Sequence, residues 1–273
     1  RDRVWAVEGS NGAGRPLAQR LLADGEHVLD VPAKLSARAR MLDTGHNRKT
    51  DAHDAHAVAV VAVRTPRLRV LSGDDESRLT FLAVRRWYGW SAGRITNLDI
   101  GGGSLEMSSG MDEAPDVALS VPLGAGRLTR EWLPDDPPGR RRVGMLRDWL
   151  DNELADAAKA MLAAGPPDLA VGTSKTFRSL ARLTGAAPSG AGPRVKRTLT
   201  ANGLRQLIAF ISRMTTADRA ELEGVSAERA PQIVAGALVA EASMRALSLE
   251  SVDICPWALR EGIVLKYMDW TEH

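Results

Sequence analysis

The sequence predicts an α/β protein, and three observations carry that prediction. Strand-like apolar runs alternate with helical periodicity along most of the 273 residues, a short β-α-β unit opens the chain, and the run NLDIGGGSLEM at 97–107 breaks on three consecutive glycines. Alternation of this kind builds a largely parallel sheet covered by helices. With 44% apolar residues the chain can bury a sizeable core,.

The elements follow in order. Val4 to Val7 reads as a strand, Arg15 to Ala23 as a helix and His27 to Val31 as a second strand, joined by a crossover that implies a parallel pair. Thr50 can cap a helix running from Asp51 to about Val63. Residues 75–87 form a helix with Leu79, Leu82 and Ala83 on one face. Strands follow near 95–100, 104–109 and 117–122. Arg141 to Ala164 reads as one long amphipathic helix, on which Leu146, Trp149, Leu150, Leu154, Ala157 and Met161 recur at helical spacing. Its tryptophan is expected in the core. Ala170 to Gly172 is a short strand feeding a helix, and GAAPSGAGPRVKR at 185–197 is a surface loop,. Helices near 201–213, 217–223 and 227–247, a strand at 252–255 and a final helix from Ala258 complete the chain.

The glycine run carries the chemistry. Gly101, Gly102 and Gly103 lack a Cβ, so their N–H groups can close around an anionic oxygen beside Ser104. Asp99 and Glu106, one on each side, stand where they could hold a divalent cation. A plain glycine hairpin between two strands fits the bare GGGS equally well. Thr173 and Ser174 likewise have two readings, an N-cap or a phosphate seat at a helix start. Cys255, the one cysteine, forms no internal disulfide and reads as a buried structural thiol,.

Charge discriminates weakly. The formal net charge is +2, with 12 basic and 8 acidic residues in positions 1–71 against 24 and 26 in the remainder. The basic front suits a nucleic-acid partner, and equally an ordinary solvated face. No signal peptide or long apolar run is visible, so the expectation is a cytoplasmic protein with no membrane partner. The chain opens on Arg1, without methionine, as a fragment would.

Taken together, LSGDDESRLTFLAVRRWYGW (71–90), NLDIGGGSLEM (97–107), SVPLGAGRLT (120–129), AVGTSKTFRSLARL (170–183), ERAPQIVAGALVAEASM (228–244) and VDICPWALREGIVLKYM (252–268) resemble the Ppx/GppA phosphatases. These are the exopolyphosphatases and guanosine pentaphosphate phosphohydrolases of the actin-like, sugar-kinase-like superfamily. The resemblance implies a ribonuclease-H-like domain over residues 96–273, preceded at 71–95 by a linking helix that carries the catalytic base. It implies metal-assisted hydrolysis of a terminal phosphoanhydride in polyphosphate or guanosine pentaphosphate, with Mg2+ or another divalent cation. Glu76 then falls on the base, with Asp75 beside it. Asp99 and Glu106 fall on the metal carboxylates, and Gly101, Gly102, Gly103 and Ser104 on the phosphate loop. Without the resemblance, Glu76 is an ordinary first-turn glutamate favoured by the helix dipole. A homodimer is left open.

The first seventy residues resemble something else. VWAVEGSNGAGRPLAQRLLADGEHVLDV, the basic stretch from Arg38 to Lys49 and KTDAHDAHAVA are similar to the RuvC-like DEDD domain of Piv/MooV-type transposases. That resemblance places Glu8, Asp51 and Asp54 on three of four nuclease carboxylates, with the first one missing. It implies a truncated, inactive nuclease piece over 1–70 with weak DNA binding, fused to a phosphatase domain whose own activity the replacement could abolish. His53 and His56 read as solvent-facing.

Overall fold

The structure, a computed structural model, describes residues 4–8, 14–31, 55–60 and 71–271. The chain divides into two compact units, 1–72 and 73–273. In the first, β1 (Val4–Glu8) and β2 (His27–Val31) pair in parallel, from Val4 opposite His27 to Glu8 opposite Val31. The crossover between them is α1 (Arg15–Ala23), which starts with proline in its first turn and buries Ala18 against Val7 and Val28,. Gly25, at φ +78°, turns the chain out of the helix,. Residues 55–60 are helical. Asp51, His53 and Asp54 lie outside the described residues.

The second unit is a six-stranded sheet in the order β5-β4-β3-β6-β8-β7. Its strands are β3 (Ile95–Ile100), β4 (Leu105–Gly110), β5 (Val117–Val121), β6 (Leu169–Gly172), β7 (Thr198–Thr200) and β8 (Ser251–Ile254). β3, β6 and β8 run parallel, whereas β4, β5 and β7 join antiparallel at the two sides. β7 falls in the gap between the expected loop at 185–197 and the expected helix at 201–213, where three residues are too few to show a period.

Helices cover both faces. On one lies α2 (Gly73–Tyr88), whose Phe81 and Val84 pack on Ile95, Val171 and Cys255. The helix expected to link two domains thus sits inside the larger unit. On the other face lie α3 (Ala125–Trp132), α4 (Arg140–Glu153), α5 (Ala155–Ala163), α6 (Ser174–Leu183), α7 (Ala201–Ile211) and α9 (Ile233–Ala246) around the main core. The single helix expected over 141–164 is two, because the chain re-aims at the fully buried Leu154 so that Leu146, Leu150 and Met161 all face the core. Trp149 is a core residue as expected, its ring 4.9 Å from that of Trp132. α9 is buried nearly all round and runs through the middle of this layer. Burial pushes the Cys255 thiol up to about 12, which fits an inert structural role,.

Two clasps close the unit. α10 (Leu259–Thr271) crosses α2 so closely that a Cβ on Gly262 would stand 1.9 Å from the carbonyl oxygen of Leu79. Arg86 secures the same crossing with paired hydrogen bonds to Glu113 (2.8 and 2.9 Å) and to Asp269 (2.8 Å each),. Elsewhere, Asp136 accepts from the N–H of Thr216 (2.8 Å), in the first turn of the short helix α8 (Thr216–Ala220), and from the buried Arg219 (2.8 Å). Burial opposes ionisation of Asp136, but the Thr216 and Arg219 donors outweigh it and hold the carboxyl below its ordinary value.

Gly262→Ala should therefore lower stability by about 1–3 kcal/mol, as overpacking does, read as a shifted urea midpoint at unchanged slope. Because the folded Asp136 carboxyl is depressed, its contribution is complete above the unfolded pKa of about 3.9 and is lost as pH falls through the folded value. Asp136→Asn should destabilise at neutral pH, and thermal melts of the two proteins should converge below about pH 4.

Candidate active site

The antiparallel register of β3 and β4 sets Asp99 directly opposite Glu106. Directly paired residues project from the same face, so the two carboxylates stand side by side at the end of the sheet where the glycine turn begins. Three hydroxyls converge on them. Thr173 Oγ1 donates to Asp99 Oδ2 at 2.6 Å, and Ser104 and Ser120 both donate to Glu106 Oε1, Ser120 at 3.1 Å. Glu106 is buried, an expensive place for a carboxylate without such donors,.

The glycine turn is held from behind by a second one. Gly124, in the PLGAG segment, approaches so closely that a Cβ would lie 2.3 Å from the carbonyl carbon of Gly103 and the nitrogen of Ser104. The N–H groups of Ala125 and Arg127 donate to the carbonyls of Gly101 (3.0 Å) and Gly102 (2.9 Å). The loop carbonyls are thereby satisfied by the start of α3. Gly101 gives its own N–H to the Ser104 carbonyl at 2.9 Å, which removes one donor from the three the glycines were expected to offer.

Thr173 stands at the N-cap of α6, yet its side chain makes no capping bond. It is turned instead onto Asp99 and the Leu98 carbonyl. Thr173 thus holds the N-cap position expected of it, with its hydroxyl committed to Asp99. Ser174 follows with φ +70°, a left-handed conformation that a non-glycine residue adopts only under constraint from its surroundings,.

Beyond this point a cavity of about 490 Å³ opens between α6, the 187–197 loop and the 223–229 turn. Five cationic side chains and one carboxylate line it. Arg182 is paired with Glu223, and Arg197 is held by the carbonyls of Ala187, Pro188, Gly192 and Val195. Lys175, Arg178 and Arg229 carry no ion pair among the described residues and give the cavity its positive character. Burial lowers the Arg229 pKa, against the pull of Glu228 and Asp99. Of the carboxylate pair, Asp99 is the member whose charge Arg229 feels.

Glu76 belongs to the first turn of α2. Gly73 in that turn rests on Ser120, where a Cβ would stand 2.3 Å from Oγ, and Ser77 donates to the Met107 carbonyl at 3.0 Å. Ser120 and Met107 are the partner and the neighbour of Glu106, so the turn bearing Glu76 sits over the same end of the sheet.

The profile of the Ppx/GppA phosphatase family matches residues 48–270. The chain belongs to that family. Exopolyphosphatase 1 of Mycobacterium leprae is 82% identical over 203 residues, 74% of this chain and 60% of the relative. Exopolyphosphatase 1 of Mycobacterium tuberculosis is 83% identical over 202 residues, 74% of this chain and 59% of the relative. The chain thus spans about 60% of the length of these curated relatives. Among solved structures, the Aquifex aeolicus Ppx/GppA family member superposes at TM-score 0.69 with 20% identity, over 95% of this chain and 80% of its own. An exopolyphosphatase from Cytophaga hutchinsonii gives 0.68 with 19% identity, over 93% and 79%. The α/β fold is the actin-like fold of the Ppx/GppA structures.

These matches lend no support to the transposase-like reading of residues 1–70, nor to its DNA binding. The Ppx/GppA profile begins at residue 48 and so claims KTDAHDAHAVA, the segment on which Asp51 and Asp54 rested. A parallel β-α-β unit is common to both fold families, and Glu8 lies at the end of β1. Among the described residues no helix is long and apolar enough to cross a membrane.

Around the carboxylate pair and the neighbouring cavity lie residues that sequence reasoning did not single out: Ser120, Gly124, Lys175, Arg178 and Arg229. PLGAG was a visible signal for Gly124, since a second small-residue run needs a close neighbour to explain it. The cations were hidden among ordinary helix-surface residues.

The donor set fits a magnesium-type cation. Like charges directly opposite each other on paired strands repel, and a shared cation removes that repulsion. Mg2+ is commonly held by one or two carboxylates together with substrate phosphates. No group of three His, Cys, Asp or Glu suited to a metal occurs among the described residues, so Asp99 and Glu106 fit that mode and not an all-protein cage.

Gly124→Ala should push the two loops apart, costing about 1–3 kcal/mol as overpacking does. Urea denaturation measures the loss, and retention of the parent midpoint would show that the loops are not in backbone contact.

Proposed function

We infer that this chain hydrolyses terminal phosphoanhydride bonds, with inorganic polyphosphate as the preferred substrate and guanosine pentaphosphate as the related alternative. One observation carries this reading: the opposed Asp99–Glu106 pair, banked by three hydroxyls and a doubled glycine loop, lies beside a cavity lined mainly by cations. A long polyanion needs a place for its reacting end and a basic track for the phosphates behind it. The names of the highly similar mycobacterial relatives support the same substrate class.

In this reading the terminal phosphoryl group sits on the turn formed by Gly102, Gly103 and Ser104. Lys175, Arg178 and Arg229 attract the phosphates that follow. Asp99 and Glu106 would hold Mg2+, which when bound supplies the charge neutralisation that phosphoryl transfer requires. Glu76 accepts the proton of the attacking water as the new P–O bond forms and the anhydride oxygen departs. The Thr173, Ser104 and Ser120 hydroxyls fix the two carboxylates, so their orientation is set before substrate arrives.

Glu76→Gln keeps the size of the side chain and removes the proton acceptor. It should lower kcat for phosphate release from polyphosphate by about 10²- to 10⁴-fold while leaving KM nearly unchanged. An unaltered kcat would reject Glu76 as the base.

A further inference from the structure

Behind the carboxylate pair the sheet carries a second polar row. Asn97 on β3 lies directly opposite Ser108 on β4, two residues back from Asp99 and Glu106 and on the same face. The row runs from Val171 on β6 through Asn97 and Ser108 to Ala118 on β5, and the next row back holds Ile95 and Leu169. α2 lies over this face and contributes two more small polar side chains, Ser77 and Thr80, both buried. A helix on a sheet would ordinarily fill such a layer with aliphatic groups.

Asn97 and Ser108 are each 0% exposed. Neither polar atom of the Asn97 amide, nor Ser108 Oγ, has a hydrogen-bond partner among the described residues. The Ser77 hydroxyl cannot serve them as donor, because it is given to the Met107 carbonyl. Buried polar groups in native proteins are almost always satisfied, and ordered water satisfies those that protein atoms do not. An amide with two donors and an acceptor, beside a hydroxyl, supplies the two to four contacts that a buried water requires.

We propose that Asn97 and Ser108 form a buried water site under α2 that orients the Asp99–Glu106 pair from behind. Two residues along a strand advance about 6.6 Å. Two hydrogen bonds of about 2.8 Å, end to end, span nearly that distance, so one water can reach from this row to the carboxylates. Asn97 and Ser108 are then positioning residues, acting through water on the groups that hold the cation. This role rests on the reading of Asp99 and Glu106 as cation ligands.

Two measurements on the full chain test it. A crystal structure at a resolution that shows solvent should place an ordered water within hydrogen-bond distance of both side chains. A dry gap, with the Asn97 amide turned onto protein atoms, overturns the site. Separately, Asn97→Leu and Ser108→Ala should each fold and melt only a little lower than the parent, because the buried water loses one of its contacts while the rest of the layer is kept. Both should nevertheless bind Mn2+, followed by electron paramagnetic resonance of the free ion, about 10- to 100-fold more weakly, as loss of an outer orienting contact does. If Asn97→Leu does not fold, Ser108→Ala, which deletes a single oxygen, decides the matter. A folded variant with parental Mn2+ affinity removes the orienting role. A parent that binds no Mn2+ overturns the cation reading itself, and the orienting role with it.

Discussion

The register between β3 and β4 is the constraint on which the rest of the site depends. Side chains alternate along a strand, so a slip of one residue would send Asp99 to the core face and bring Leu98 to the α2 face in its place. Four hydrogen-bonded features resist that slip at once. The glycine turn closes on itself through Gly101 and Ser104, α3 grips its carbonyls, Thr173 seizes Asp99, and Ser120 and Ser104 share one oxygen of Glu106. Two carboxylates are thereby held on one face of adjacent strands, where, in the proposed function, a cation would offset their repulsion,.

Much of this fold was legible because its signals are local. The parallel β-α-β opening, the strands around GGGS and the amphipathic helices each announce themselves within a dozen residues. What escaped was set by tertiary contact. β7 exists because β8 offers it an edge, and α4 and α5 separate because Leu154 is drawn into the core. The turn that carries Arg229 read as part of a helix over 227–247, although Pro231 stands just before the observed helix start at Ile233,.

The site divides along the same line. Asp99, Glu106 and the glycines form one contiguous motif, so their proximity could be read directly. Ser120, the Thr173–Lys175 segment and Arg229 come from three other places in the chain, and each has an ordinary identity there: strand serine, helix cap with an exposed lysine behind it, turn arginine. Only the folded arrangement gives them a common address. The transposase-like reading of the first residues drew no support from the comparisons. A β-α-β unit and two aspartates three apart recur in many unrelated proteins, and nothing distant in sequence was available to contradict them.

The crossing of α10 over α2 has a mechanical side. Gly262 lets the helices touch backbone to backbone, and Arg86 rivets them through Asp269 while also holding Glu113 from the turn after β4. Glu76 lies at the far end of the helix so riveted. One guanidinium thereby fastens three segments that lie far apart in the sequence, α2, α10 and the turn after β4.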